Sequence, residues 1–290
     1  MQDLIPHILE LIRLTSTSLP ADVERALLSA QEKEGEGSAT QDVMRSIIKN
    51  VTIARETSTP ICQDTGTPIF FVQYPGSYST KKLISIIRSA VAEATGKLYL
   101  RPNAVNSLTG KNSAHNLGDK HFPFIHFEEV EGETLTIDLL LKGGGCENVG
   151  RQYSLPDSAL NAGRDLEGVR RVALDAVFQA QGQGCAPGFL GIAIGGDRGI
   201  SYLVSKEVFL EDLSSHHPNP VVAALEKRIT KEANELQIGP MGLGGRSTIL
   251  STRIVGLHRL PASYFVSISY MCWAFRRHQI SITGEKVEFD

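Results

Sequence analysis

Cysteines are the side chains in this sequence best suited to chemistry, and three of the four occupy similar positions. Cys62, Cys185 and Cys272 each lie where a loop meets a segment with strand character. Reactive groups are usually presented on loops held by a rigid scaffold in this way. Their wide separation excludes CxxC motifs and the local spacings of zinc ribbons and ferredoxin clusters. From spacing alone, a shared three-cysteine site and three unrelated buried thiols both remain open.

The first of these cysteines begins a polar turn. Cys62, Gln63 and Asp64 stand side by side, followed by Gly66 and then by the apolar run Ile69–Val72. A loop that enters a strand in this way holds its polar side chains on a rigid edge, which is how reactive groups are usually presented. The segment therefore predicts a functional site, and the alternative is a turn with a buried cysteine.

Glycine-rich segments adjoin the predicted strands at three places, namely Gly143–Gly145, Gly195–Gly196 and Gly242–Gly245. Glycine there permits positive φ and close approach of the backbone to a ligand, and a tight turn is the alternative. None of the segments matches GxGxxG and no GK[ST] occurs, so nucleotide binding is not predicted.

Apolar periodicity predicts helices throughout residues 1–57 and at about Thr80–Gly96, separated by a strand at Ile69–Tyr74. Residues 101–120 have no clean periodicity, which is typical of a functional or disordered loop. Phe122–Val130 and Thr134–Lys142 are predicted to pair as a hairpin across residues 131–133.

The second half of the chain is predicted to contain both helices and strands. Its predicted segments are a helix at Leu166–Ala180, a strand at Phe189–Ile194, helices at Ser201–Leu213 and Pro220–Leu236, and a mostly extended section at Ile249–Phe289. Strict βαβ alternation is missing, so the predicted class is α+β, with mixed sheets and flanking helices. We expect one large domain over residues 1–290, or two closely joined lobes, because no clear linker interrupts the chain.

Composition limits the partners and the compartment. The chain has 290 residues, 41% of them hydrophobic and 21% charged, with a net charge of −3. Neither a nucleic acid nor a membrane partner is predicted from these values, and no apolar stretch approaches the roughly 20 residues that span a bilayer. The N-terminus lacks the features of a signal peptide, and four cysteines in so long a chain predict thiols in a reducing cytoplasm.

Six motifs in one order carry a resemblance to a known family. The chain resembles the α subunit, or N-terminal half, of the iron–sulfur hydro-lyases, class I fumarate hydratase and L(+)-tartrate dehydratase, over roughly residues 5–280. The motifs are CQDTGT at 62–67, KGGG at 142–145, CAPG at 185–188, IGGDR at 194–198, IGPMGLGG at 238–245 and MCWA at 271–274.

This resemblance implies a 4Fe–4S cluster held by three thiolates, from Cys62, Cys185 and Cys272. The fourth iron is then open to the substrate and acts as a Lewis acid in the reversible removal of water from a small hydroxy-dicarboxylate. The implied activity is that of a hydro-lyase of the fumarate hydratase or tartrate dehydratase type.

The resemblance also implies which residues contact the substrate. Gln63 and Asp64 match substrate-contacting residues, and Asp64 matches part of the proton-transfer group. Arg101 matches an arginine that pairs with a substrate carboxylate, a task suited to its bidentate fork. Gly145 matches a glycine whose backbone faces the substrate.

Some positions depart from the family pattern. Leu260 stands where the family usually has a histidine that assists proton transfer, and His258, two residues away, is the candidate substitute if the segment is a strand. Cys146 stands where the family generally has serine, so it is interpreted as a non-ligand. Residues 119–123 replace the usual Asp–Asn–Thr–Pro.

The resemblance further implies a β subunit that completes the active site and an assembly of two α–β pairs. An alternative is a cluster-binding paralogue without dehydratase activity, serving as a redox or regulatory subunit; Leu260 favours it. A third hypothesis, a zinc hydrolase with cysteine ligands, requires closer ligand spacing than this chain has.

Overall fold

A computed structural model describes residues 4–290, in which the chain forms eight α-helices and nine β-strands. The helices are α1 (Ile5–Thr17), α2 (Ala21–Lys33), α3 (Ala39–Thr57), α4 (Thr80–Gly96), α5 (Gly144–Asn148), α6 (Leu166–Ala180), α7 (Arg198–Glu207) and α8 (Pro220–Glu235). The strands are β1 (Thr67–Pro75), β2 (Phe124–Val130), β3 (Thr134–Lys142), β4 (Arg151–Ser154), β5 (Gly188–Ile194), β6 (Ile249–Gly256), β7 (Phe265–Met271), β8 (Arg276–Thr283) and β9 (Lys286–Phe289). The predicted α+β class is confirmed.

The predicted N-terminal helices are confirmed as α1, α2 and α3. Helix α1 buries Ile8, Leu11 and Ile12, which recur at helical spacing on one face. Helix α2 begins directly after Pro20. The first three residues of the predicted helical stretch lie outside the described part of the chain.

Contacts within the chain divide it into two compact units, which interleave along the sequence. Unit 1 comprises the described residues up to Pro20, Lys49–Gly144 and Ala274–Asp290, and unit 2 comprises Ala21–Ile48 and Gly145–Trp273. The expectation of one large domain over the whole chain stays a prediction.

Unit 1 is built on a five-stranded sheet with the order β2-β1-β3-β8-β9. Strands β1 and β2 are parallel, and the other neighbours are antiparallel. Side chains of α1 and α4 pack with those of β1, β3 and β8 into one apolar core.

The predicted hairpin of β2 and β3 is wrong, although both strands exist. Strand β1 lies between them, with Phe70 opposite Ile125 of β2 and Leu139 of β3. The reason is burial. Strand β1 is buried from Pro68 to Val72, which suits a central strand with neighbours on both sides. Strand β2 is half-exposed along its length and therefore suits an edge.

Unit 2 contains a four-stranded sheet with the order β4-β7-β5-β6, in which only the β5–β6 pair is parallel. Apolar side chains of α6 and α8 pack against this sheet. Strand β4 was not predicted from the sequence, because it is short, polar and half-exposed and is held by pairing with β7. No helix within residues 4–290 has the length and apolar character to cross a bilayer.

Candidate active site

The turn that begins at Ile61 connects α3 to β1 in unit 1 and is anchored at its first residue. The Ile61 N–H donates to the carbonyl of Ser16 at 2.9 Å, and the side-chain amide of Asn50 donates to the Ile61 carbonyl at 2.8 Å. Ile61 itself is buried. These contacts fix the backbone immediately before Cys62, which is half-buried.

The Asp64 carboxylate is held by two backbone N–H groups of unit 1. Oδ1 accepts from Gly66 at 3.0 Å, and Oδ2 accepts from Gly144 at 2.7 Å. Glycine is required at position 66, and a side chain at position 143 would displace this carboxylate. Gly66 has a φ of +81°, and a Cβ there would lie 2.8 Å from the Lys142 carbonyl carbon. A Cβ on Gly143 would lie 2.9 Å from Oδ2 of Asp64.

Arg101 lies beside the same turn. Its Nη1 donates to the Gln63 carbonyl at 3.2 Å, and its backbone N–H donates to Oγ1 of Thr65 at 3.0 Å. Arg101 and Gln63 are exposed, whereas Thr65 is fully buried. The structure therefore brings Gln63, Asp64 and Arg101 together, with polar groups directed to the surface and a buried support beneath.

Asn116 supports the Arg101 segment, and its only signal in the sequence was its place in a polar loop. It is fully buried, and its Oδ1 accepts from the Asn103 N–H at 2.7 Å. Its Nδ2 donates to the Arg101 carbonyl and, at 3.2 Å, to Oγ1 of Thr95. The loop at 101–120 thus has a polar core that orders the backbone around Arg101.

In unit 2, Cys185 lies between a 3-10 turn, Gln181–Gly184, and strand β5. Its backbone is left-handed, with φ of 51°. Its carbonyl accepts from the Trp273 N–H at 3.3 Å, and the next carbonyl, of Ala186, accepts from the Met241 N–H at 2.8 Å. The first bond places the segments that carry Cys185 and Cys272 side by side.

Tyr270 packs against the Cys185 segment, a contact that no sequence pattern indicated. A Cβ on Gly188 would lie 2.3 Å from Cζ of Tyr270, and a Cβ on Gly184 would lie 2.7 Å from its Cε1, so the ring lies directly on this backbone. Burial raises the pKa of Tyr270, and negative charge on the thiols of Cys272, Cys146 and Cys185 raises it further. The phenol of Tyr270 is therefore buried and lies within electrostatic range of three thiols of unit 2.

Cys146 is buried in α5, and its Sγ accepts a hydrogen bond from the backbone N–H of Cys272 at 3.2 Å. Gly145, the residue before it, is exposed, and a Cβ there would lie 3.6 Å from the carbonyl oxygen of Gln183. Gly145 is thus adjacent to the turn that precedes Cys185. The glycines at 143–145 lie at the start of α5 and lack positive φ, unlike those at 195–196, 242 and 244–245.

His258 and Leu260 lie in an exposed loop after β6, so the condition that this segment is a strand is not met. The loop is anchored by main-chain bonds. The His258 carbonyl accepts from the Gly196 N–H at 3.1 Å, and the Leu257 N–H donates to the Ile194 carbonyl at 2.8 Å. Alternation of side chains between strand faces therefore says nothing about the direction of the His258 ring.

Within residues 4–290, no three His, Cys, Asp or Glu side chains are grouped so that they could hold a metal ion. The donor set itself fits an iron–sulfur cluster, because thiolates are the ligands of such clusters and the chain supplies Cys62, Cys185 and Cys272 at loop–strand junctions. Backbone bonds to the Cys185 carbonyl and the Cys272 N–H restrain two of these residues.

Comparison with known proteins now identifies the family. Residues 6–281 match the family model described as "Fumarate hydratase (Fumerase)". The chain belongs to this fumarate hydratase family. The predicted resemblance is confirmed, and the family is one of hydro-lyases.

The relatives of this chain carry two kinds of name. The chain is 44% identical, over its whole length, to a protein of Geobacillus stearothermophilus provisionally named fumarate hydratase class I, and it spans 57% of that longer relative. It is 35% identical to a protein of Methanocaldococcus jannaschii provisionally named L(+)-tartrate dehydratase subunit alpha, over 93% of this chain and 94% of that one. It is 31% identical to the L(+)-tartrate dehydratase subunit alpha of Escherichia coli K12, over 94% of this chain and 88% of that one.

Proposed function

We propose that this chain is the catalytic α subunit of a hydro-lyase that reversibly removes water from a small hydroxy-dicarboxylate, of the malate or tartrate type. The observation that carries the proposal is that the Asp64 carboxylate accepts hydrogen bonds from two backbone N–H groups, in the same turn that contacts the exposed guanidinium of Arg101. Membership in the fumarate hydratase family supports the same reaction class.

In this proposal Cys62, Cys185 and Cys272 hold a 4Fe–4S cluster. When bound, such a cluster supplies an open iron as a Lewis acid, which makes hydroxide a tolerable leaving group. The thiolate donor set supports this assignment. Cys146 is left out of the proposed ligand set because it stands where the family generally has serine.

Asp64 is assigned the proton-transfer role. Each of its carboxylate oxygens accepts one backbone N–H, which leaves further lone pairs available for a substrate proton. Two fixed donors hold the carboxylate in one orientation, which is what a base needs in order to reach the carbon beside a substrate carboxylate. His258 is proposed as a second group for proton transfer.

Arg101 is assigned to a substrate carboxylate. Among the described residues, its Nε and Nη2 make no hydrogen bond, so part of the planar fork is available for a bidentate pair. The Gln63 side chain is exposed beside it and is assigned to orient the substrate by hydrogen bonding. Gly145 is assigned to present its backbone to the substrate.

The proposed assembly includes a β subunit that completes the active site, in a dimer of α–β pairs located in the cytoplasm. Two of the relatives are named as alpha subunits, and the Geobacillus relative extends well beyond the length that this chain matches. We therefore propose that the α chain alone turns over poorly.

Anaerobic reconstitution with iron and sulfide, together with a β subunit, tests the function. We expect visible absorption from a cluster and hydration or dehydration of fumarate, malate or tartrate. Replacing Cys62 with serine should abolish both signals. Replacing Asp64 with asparagine should keep the absorption and lower kcat by about 10²- to 10⁴-fold.

Two other outcomes would each change the assignment. Leu260, where the family usually has histidine, favours a cluster-binding subunit without dehydratase activity, and a cluster without turnover of any hydroxy-acid would support that alternative. Stoichiometric zinc in a colourless protein would contradict both hypotheses.

A further inference from the structure

Arg276, at the start of β8 in unit 1, is a buried charged residue that is hydrogen-bonded to the Asp64 turn. Its side chain is among the largest that are fully buried, with only 1% of the residue exposed. The guanidinium donates from Nη2 to the Asp64 carbonyl at 2.9 Å and from Nε to the Ala274 carbonyl at 3.3 Å. Both acceptors are main-chain oxygens.

The burial of this cation is not offset by a carboxylate. Within residues 4–290 Arg276 makes no salt bridge, and its buried Nη1 has no hydrogen-bond partner. A buried charge without a counter-ion and with an unsatisfied donor is strongly unfavourable for folding. The two hydrogen bonds from Arg276 to main-chain carbonyls are the interactions that offset this unfavourable burial. One of them is to the carbonyl of Asp64.

Arg276 holds the main chain of Asp64, whose carboxylate is held separately by two backbone N–H groups. Gly66 and Gly144 bind the Asp64 oxygens, whereas Arg276 binds the Asp64 backbone. Gly66 packs against the Lys142 backbone with no space for a Cβ, so the turn has little room for other arrangements. Together these contacts fix both ends of one residue.

We propose that Arg276 is a positioning residue that fixes the main chain of the Asp64 turn on the end of the sheet. Arginine suits this role because its rigid fork reaches two carbonyl oxygens at once, whereas lysine presents its donors from a single nitrogen. The catalytic consequence rests on the proposed function. If Asp64 transfers the proton, a displacement of about 1 Å lowers turnover by about 10²-fold.

Hydrogen exchange followed by mass spectrometry tests the positioning directly on the full chain. In R276K and R276M, we expect faster exchange in peptides that cover residues 60–67 and 143–145, by about tenfold, because the turn opens locally more often. R277M is the matched control. Arg277 is also buried, and its side chain lies on the opposite face of the same strand. Exchange at the Asp64 turn should stay unchanged in R277M.

Kinetics of the reconstituted α–β enzyme supply the second test. R276K should lower kcat by about 10- to 100-fold with KM within about twofold of the wild type. In the D64N background, the same change should lower kcat by less than about twofold, because the group that it positions is already lost.

Three results would overturn the proposal. They are unchanged exchange at the turn in both Arg276 variants, a uniform rise in exchange over the whole chain, and additive losses of kcat in R276K and D64N. A wild-type enzyme that turns over no hydroxy-acid would refute the proposed function instead. The exchange experiment would still decide whether Arg276 holds the turn.

Discussion

The backbone N–H of Cys272 donates a hydrogen bond to the sulfur of Cys146, 3.2 Å away. Cys146 is buried, and it occupies a position at which the family usually has serine. Sulfur is a weak acceptor, but an N–H in a buried site needs some partner. A side chain outside the proposed ligand set thus helps to fix the backbone of a residue within it.

Replacing Cys146 therefore separates an acceptor role from a ligand role. C146S keeps an acceptor and should change stability little, whereas C146A leaves the Cys272 N–H without this partner and should lower the free energy of unfolding by about 1 kcal/mol. Urea denaturation measures this difference. Both variants should retain full cluster absorption, and loss of absorption in C146S would mean that Cys146 is itself a ligand.

A side chain at Gly188 is expected to be destabilising, because a Cβ there would lie 2.3 Å from Cζ of the Tyr270 ring. We expect G188A to lower the free energy of unfolding by about 2 kcal/mol, since the ring or the β5 backbone must shift. G256A is the matched control, because a Cβ on Gly256 meets nothing within 4 Å. Equal melting temperatures for the two variants would contradict the close packing of Tyr270.

Glu34 links two parts of unit 2 and should be important for stability. Its buried carboxylate accepts from the Arg246 N–H at 3.0 Å and from the Thr40 hydroxyl at 2.9 Å. E34A should lower the free energy of unfolding by about 2 kcal/mol, because bonds to a charged acceptor are lost and the donors remain. E36A, at an exposed position two residues away, should be nearly neutral in the same urea denaturation.

Glu167 provides a test of pH dependence. Its hydrogen bonds to Arg170 and the nearby charge of Arg228 hold the pKa of the carboxyl at about 2. A lowered folded-state pKa means that the stabilisation is fully present above the ordinary pKa and disappears as the pH falls toward 2. The carboxylate is 42% exposed, so solvent screening limits its contribution to about 1 kcal/mol or less.

We therefore expect E167Q to be less stable than the wild type at neutral pH and the gap to narrow below about pH 4. Urea denaturation at several pH values measures the gap. A gap that widens as the pH falls would show that the assigned sign is wrong. Added salt should narrow it at neutral pH, because these charges are partly exposed.

Arg101 should distinguish binding from chemistry if the proposed function holds. R101K keeps the charge but loses the planar fork, so we expect KM for a dicarboxylate to rise by about tenfold with a smaller change in kcat. Steady-state kinetics of the reconstituted enzyme measure both quantities. A loss confined to kcat would contradict a role in carboxylate binding.

Local signals made the helices predictable. Helix α6 has the predicted bounds, because apolar periodicity and the Asp165 cap, whose side chain accepts from the Gly168 N–H at 2.7 Å, are both encoded nearby in the sequence. Helix α7 begins before the predicted Ser201, because Asp197 caps it through the Gly199 and Ile200 N–H groups. It ends at Glu207, and a 3-10 turn, Val208–Leu210, follows.

The pairing of the strands, and the residues that hold the candidate site in place, were harder to predict from the sequence. Nothing local shows that β1 separates β2 from β3, because parallel pairing depends on the burial of all three strands together. Motifs and family resemblance indicated Gln63, Asp64 and Arg101, which the structure places together. Arg276 was missed because its burial and its bond to Asp64 depend on the register of β8.

The interleaving of the two units has a consequence for synthesis on the ribosome. Strand β3 pairs with β1 and with β8, but β8 emerges only after all of the second segment of unit 2 has been made. Until then, one side of β3 presents unsatisfied main-chain groups of the kind that recruit foreign strands. We therefore expect a nascent chain that stalls before Arg276 to be prone to aggregation through the exposed side of β3.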